Sequence, residues 1–365
     1  MIKVEKFTGP NAVRALAPAW RQLTAQLTLK RHFHHVEWHQ ALAETFERHN
    51  MPPLECLAVF SSSTLVAVFP FRVVPLQIGP IRLNAMKLAS DQIDADTARD
   101  FVLAGGLPAT NFFQGFVKYL TDHDPTWDVI MLPGILEDSL AASAIKHSPQ
   151  LPIVQTPGGA WGRIEMISCA EDNRPFDNLS KGFKQNLRTA HNKLKSTSIN
   201  FQCARTNNEL EEFLPDFLRI ESSGWKGEMG TSASQQPHSI TFLNQLIANF
   251  ADAGQCEIYL LRANGESIAA LFGIVTDRIL YIFRIGYDER HHRVSPGHLI
   301  IENLMKETSA QRRFDIITPY NAPPWFRSWK PDQVLQIFNA FVFRPTAEGI
   351  ETAKRLAMVL RTSSY

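Results

Sequence analysis

Cysteine is scarce. Cys56, Cys169, Cys203 and Cys256 stand far apart with no Cys-x-x-Cys pair, which excludes a zinc ribbon and a disulfide framework. Long apolar runs are missing, so no membrane span is expected, and Met1–Lys6 has no apolar stretch behind it to make a signal peptide. Net charge is nearly absent: 37 basic against 36 acidic residues give +1, which speaks against a dedicated nucleic-acid binder. No Gly-x-Ser-x-Gly elbow is present, so Ser-His-Asp hydrolysis has no support. His32, His34, His35 and His39 lie close in sequence but lack other ligands at metal-binding spacing, and no metal site is expected. What remains, 44% hydrophobic and 20% charged residues, describes an ordinary globular protein of the reducing cytoplasm.

At 365 residues the chain is longer than one core usually organises. Its halves echo one another. The stripe Trp38, Leu42, Phe46 recurs as Phe242, Leu246, Phe250, each the buried face of a helix. A strand–turn–strand unit follows in both: Leu57–Phe60 and Val66–Phe69 around Ser61-Ser62-Ser63, then Tyr259–Leu261 and Ile268–Leu271 around Asn264-Gly265. Trp127-Asp128-Val129-Ile130 then returns as Phe314-Asp315-Ile316-Ile317, each behind a helical segment. Three matches in one order predict a duplicated α/β unit, with the boundary at Pro157-Gly158-Gly159.

The junction Ser295-Pro296-Gly297-His298 joins the aromatic strand Ile279–Tyr287 to the helix that starts at His298. Ser295 suits an N-cap and Pro296 the first helical position, while Gly297 leaves the first-turn amides uncovered. Bare amides at the positive end of a helix dipole hold phosphates, and Arg290 and Arg293 add cations beside them. The junction reads as a pyrophosphate cradle. The corresponding place in the first half, Ala89–Asp96, offers carboxylates and no glycine. The ligand is therefore expected in the second half.

The order hairpin, long strand, glycine-bearing turn and helix resembles the acyl-CoA-binding core of the GNAT acetyltransferase superfamily. The chain resembles more closely the CelD-like acetyltransferases found with bacterial polysaccharide-biosynthesis genes. The residues that carry this are Leu187–Ala190, Glu221–Gly227, Gly286-Tyr287-Asp288 leading to Ser295-Pro296-Gly297, Phe314–Ile317 and Trp325–Trp329. The resemblance implies an α/β (α+β) fold of two GNAT-like domains in tandem, each a mostly antiparallel mixed sheet flanked by helices. Residues 1–157 would form a domain without a cofactor site, and residues 158–365 the acyl-CoA-binding catalytic domain. Acetyl-CoA or another acyl-CoA would be the donor, with no metal. The acceptor would be an amine or hydroxyl of a small molecule or glycan, attacking the thioester directly. Two rivals stay open: a Fem-like transferase using aminoacyl-tRNA, which also pairs two GNAT units, and a non-catalytic assembly protein of polysaccharide biosynthesis.

Such transfer needs a base, an oxyanion donor and an acid for the leaving thiolate. Glu221 is the base expected, because a carboxylate at a helix C-terminus has its pKa raised by the dipole. Tyr320, in the loop after Phe314–Ile317, is the acid candidate. Ile285, Gly286 and Tyr287 would present strand amides to the donor, and Arg290, Arg293, Ser295, Gly297 and His298 would hold its diphosphate. Trp225, Lys226 and Asp288 are the acceptor-side candidates, although Trp225 equally suits a buried loop anchor. Lys181, Lys184, Arg188, His191 and Lys195 stripe one face of an amphipathic helix. That face is a solvated surface, a site for CoA phosphate or an anionic glycan, or least of all one for nucleic acid.

Overall fold

The structure, a computed structural model, describes residues 2–89, 99–158, 162–169, 176–319 and 323–362, without the side chains of Trp225, Arg361 and Thr362. The chain begins with β1 (Ile2–Thr8), α1 (Gly9–Ala25), α2 (Val36–Arg48), β2 (Glu55–Ser61), β3 (Thr64–Ile78) and β4 (Ile81–Leu88). It continues through β5 (Val102–Leu103), α3 (Ala109–His123), β6 (Val129–Leu136), α4 (Leu140–Lys146) and β7 (Ile153–Pro157). Next come β8 (Arg163–Ser168), α5 (Lys181–Lys193), β9 (Ile199–Ala204), α6 (Asn207–Ser222), α7 (Trp225–Glu228) and α8 (Pro237–Phe250). Then follow β10 (Cys256–Ala263), β11 (Glu266–Thr276), β12 (Ile279–Tyr287), α9 (Pro296–Gln311) and β13 (Ile316–Pro319), and finally β14 (Gln333–Phe343) and α10 (Ala347–Thr362).

Two compact units result, one of Met1–Arg163 with Leu335–Tyr365 and one of Ile164–Val334. This differs from a simple split at residue 157. The last strand and helix go back to the first unit because β6, parallel to β4 on one side, needs its other edge covered, and β14 pairs there antiparallel. Helix α10 then buries Ala353 and Leu356 against Ile81, Val129 and Phe341.

In the first unit, β1, β2, β3 and β4 pair antiparallel in that order, and β4 runs parallel to β6. In the second unit, β9, β10, β11 and β12 pair antiparallel in that order, and β12 runs parallel to β13. The repeated signals therefore mark one topology used twice. Each unit is a mostly antiparallel mixed sheet with helices packed on it. Trp38, Leu42, Phe46, Phe242, Leu246 and Phe250 are all buried, as helix stripes facing a sheet must be. Asn264 and Gly265 both take positive φ, +51° and +86°, which matches the twist of the β10–β11 hairpin.

The first core is aromatic, with Phe69, Phe71, Phe101, Phe113, Phe116 and Trp127 between β3, β6 and α3. The second gathers Leu299, Ile300, Leu304 and Met305 of α9, Phe183 and Leu187 of α5, and Tyr259, Leu271, Leu280 and Ile282 of the sheet. Among the described residues, no helix is long and apolar enough to cross a membrane.

Candidate active site

The parallel pairing of β12 with β13 runs from Ile279–Ile316 to Ile282–Pro319 and, among the described residues, stops there. Its other edge stays on β11 as far as Tyr287–Ala269. Phe283 to Tyr287 continue beyond that pairing, and among the described residues no strand pairs with them on the β13 side. The Asp288 amide donates to the Ile268 carbonyl at 2.9 Å. After the bulge, alternation turns the amides of Arg284 and Gly286, like that of Asp288, toward β11 and those of Ile285 and Tyr287 toward the other edge. The Lys226 ammonium donates to the Ile285 carbonyl (3.1 Å) and the Ser223 hydroxyl to the Tyr287 carbonyl (3.2 Å). An edge of strand amides beside a lysine ammonium can polarise an acyl carbonyl.

A β-bulge sits at the mouth of this edge. Phe272 faces Arg284 while Gly273 faces Ile282, so Phe283 is the extra residue. Phe283 and Arg284 consequently both reach toward the helices on one face: Phe283 packs on Phe242 of α8, and Arg284 Nη1 donates to Glu221 Oε1 of α6 at 2.8 Å. Gly286 lets α6 come this close, since a Cβ there would stand 2.8 Å from the Cα of Glu221. Gly286→Ala should cost about 1–3 kcal/mol of stability through overpacking, measured by urea unfolding.

Glu221 is 1% exposed. Its Oε1 accepts from Arg284 and from Lys226 (3.3 Å), and its Oε2 from the Ala233 amide (2.7 Å). Burial is the largest single influence and pushes its pKa up, but Lys226, Arg284 and the Ala233 amide outweigh it and hold the carboxyl below its ordinary value. The expected upward shift is therefore reversed, because the dipole argument missed the cations folded onto this carboxylate.

At the start of α9, Ser295 occupies the N-cap position in the left-handed region (φ +50°) without a side-chain cap bond. Its carbonyl accepts from the amides of His298 (3.0 Å) and Leu299 (3.1 Å). Gly297 keeps the mouth narrow: a Cβ there would lie 3.3 Å from the Tyr287 ring. Arg293 is exposed, and its carbonyl accepts from Lys193 at the end of α5. Two expected cradle residues are engaged elsewhere. Arg290 is held by Asp288 (2.6 Å) and by Glu266 (2.5 Å), so its charge is matched away from the mouth. His298 turns inward against Phe183, Trp325 and Trp329, where burial pushes its pKa down.

Asp288, expected on the acceptor side, is buried and caps the turn Glu289–Val294 by accepting from the Arg290 amide (3.0 Å). Tyr320 and the acidic stretch Ser90–Asp96 lie outside the described residues, as does the side chain of Trp225. On α5, Phe183, Leu187 and Ala190 are buried while Lys181, Arg188 and His191 are exposed, His191 meeting Glu302 at 2.7 Å. No group of three or more metal-type ligands lies together among the described residues. Sequence reasoning passed over Arg284, although a signal was present: it is the one charged residue in Ile279–Tyr287.

The second unit thus carries a short β12–β13 parallel pair, a bulge in β12 and a helix that opens after the end of that strand. Residues 181–322 match the family model of an acetyltransferase (GNAT) domain, and the protein is an acyltransferase. Comparison with curated proteins gives no match. Among solved structures, a conserved protein of unknown function from Bacteroides thetaiotaomicron is similar with TM-score 0.55 at 12% identity, covering 89% of this chain and 97% of its own. FemX is similar with TM-score 0.55 at 9% identity, covering 90% and 96%. L-PGS from Bacillus licheniformis is similar with TM-score 0.50 at 10% identity, covering 95% and 97%. At such identities the likeness is one of fold.

Proposed function

We propose that the protein transfers an acetyl group from acetyl-CoA to an amine or hydroxyl of a sugar or polysaccharide precursor in the cytoplasm. The observation that carries this is the open edge of β12, with its Ile285 and Tyr287 amides, running into the mouth of α9. An acyl carbonyl on that edge has its oxygen toward strand amides and the Lys226 ammonium, which stabilise the negative charge that builds there when the acceptor attacks. The Gly297 amide, at the start of α9, and Arg293, just before it, are the groups that hold the diphosphate of the donor. Ser295 contributes its backbone turn; Arg290 and His298 have no part in this grip.

Isothermal titration with acetyl-CoA tests the donor. Gly297→Asp places a carboxylate at the mouth and should weaken binding at least about tenfold through repulsion, with the fold retained by circular dichroism. Unchanged affinity would remove the diphosphate from α9.

A second reading, aminoacyl transfer from aminoacyl-tRNA, draws on one observation. The exposed cations of α5 include Lys193, whose ammonium donates to the Arg293 carbonyl just before the mouth, and a phosphate backbone favours such cations. Under that reading acetyl-CoA gives no heat, and the protein protects aminoacyl-tRNA from hydrolysis.

A further inference from the structure

We infer that Arg284 recognises an anionic group, a carboxylate or a phosphate, on the acceptor. This deepens the acyltransferase reading and rests on it. Arg284 follows the bulged Phe283, so the bulge directs its side chain to the α6 face. That places the guanidinium next to the open edge, because Lys226 spans both places: its ammonium touches Glu221 Oε1 at 3.3 Å and the Ile285 carbonyl at 3.1 Å. A charge in an otherwise apolar strand is costly to keep unless it is used or paired.

The pairing is incomplete. Arg284 gives one hydrogen bond, through Nη1 to Glu221, and among the described residues its other guanidinium donors have no protein partner. None of those nitrogens is sealed from water, and the side chain is 15% exposed. Glu221 already serves three donors, Arg284 and Lys226 on Oε1 and the Ala233 amide on Oε2. Two cations therefore share one carboxylate. The next acid, Glu289, lies beyond Gly224 and faces the Tyr287 hydroxyl. A guanidinium anchored on one nitrogen, with its remaining donors unpaired among the described residues and not sealed from water, can accept a planar carboxylate or two phosphate oxygens. Arg284 would thus fix the charged end of the acceptor, leaving its nucleophile to face the edge of β12.

The test is equilibrium binding without donor, using glucosamine 6-phosphate against glucosamine and glucuronate against glucose. The wild type should bind one charged probe at least about tenfold tighter than its neutral mate, and which pair shows the preference identifies phosphate or carboxylate. Arg284→Gln should abolish that preference with little change for the neutral probes, and Arg284→Lys should restore part of it. Equal binding of charged and neutral probes, absence of binding in both pairs at millimolar concentration, or a preference that survives Arg284→Gln overturns the assignment. Arg284→Lys, with thermal unfolding of both variants, separates loss of recognition from loss of fold. The donor reading stands or falls independently, by acetyl-CoA titration of the same proteins.

Discussion

Glu221→Ala should lower the free energy of unfolding by about 3–5 kcal/mol, the usual cost of removing one partner from a buried ion cluster. The carboxylate is fully enclosed, with side-chain exposure of 0%, and Arg284 and Lys226 are only 15% and 22% exposed. Its loss leaves two cations facing one another and an amide, that of Ala233, without its acceptor. Glu221→Gln keeps the shape and one acceptor oxygen and should cost less, about 1–3 kcal/mol. Urea unfolding at neutral pH measures both. The pH dependence has a definite sign. The folded carboxyl lies below its ordinary value, so its stabilisation is fully present above that value and disappears as pH falls through the lower folded one. The difference between wild type and Glu221→Gln should be flat above about pH 5 and shrink in acid. An Ala variant as stable as the wild type would show that the cluster contributes nothing. The same geometry bears on catalysis, since a general base works best with a pKa near the operating pH, and a carboxylate clamped by cations has the opposite bias.

The contrast between what was legible in the chain and what was not follows the range of the interactions. Local signals carried the architecture. Asn264-Gly265 fixes a hairpin through backbone conformation alone, and the stripes Trp38-Leu42-Phe46 and Phe242-Leu246-Phe250 place helix faces through a period that any reader of the sequence can count. The duplicated topology followed from the order of these signals. The site depends on partners far away in sequence. Arg290 looked like a cradle cation until Glu266, on the neighbouring strand, matched its charge. Glu221 meets Arg284 and the Ala233 amide only in the fold, and these contacts set the direction of its pKa. The bulge at Phe283 has no sequence mark of its own, because the two-against-one register exists only once β11 is alongside. The return of residues 335–365 to the first unit is likewise a matter of which strand edge lacked a neighbour, and no local pattern encodes that.

The first unit should lose stability in mild acid, by about 3 kcal/mol between pH 6.5 and pH 4, through His39 alone. His39 is 2% exposed, stacks on Trp20 at 4.9 Å between ring centres, and pairs through Nε2 with the Phe33 carbonyl at 2.9 Å. Burial, the largest influence, drives its pKa down to about 4, assisted by His34 and opposed by the bond to Phe33. A buried neutral histidine reverses the sign familiar from ion-paired ones. Above pH 6.5 folded and unfolded chains both hold it neutral, and it contributes no pH dependence. As pH falls, the unfolded chain takes up a proton that the folded chain refuses, and stability drops by about 1.4 kcal/mol per pH unit until the folded imidazole also titrates near pH 4. His32, also buried, has its pKa lowered by burial and acts in the same direction. His39→Gln can still donate to Phe33 but does not titrate, so it should be less stable at pH 7.5 and show a shallower decline over this window. Chemical unfolding at half-unit steps, followed through the fluorescence of the tryptophans, reads the slope. Equal slopes for wild type and His39→Gln would mean that the imidazole reaches water in the folded state, contrary to its place between Trp20 and the Phe33 carbonyl.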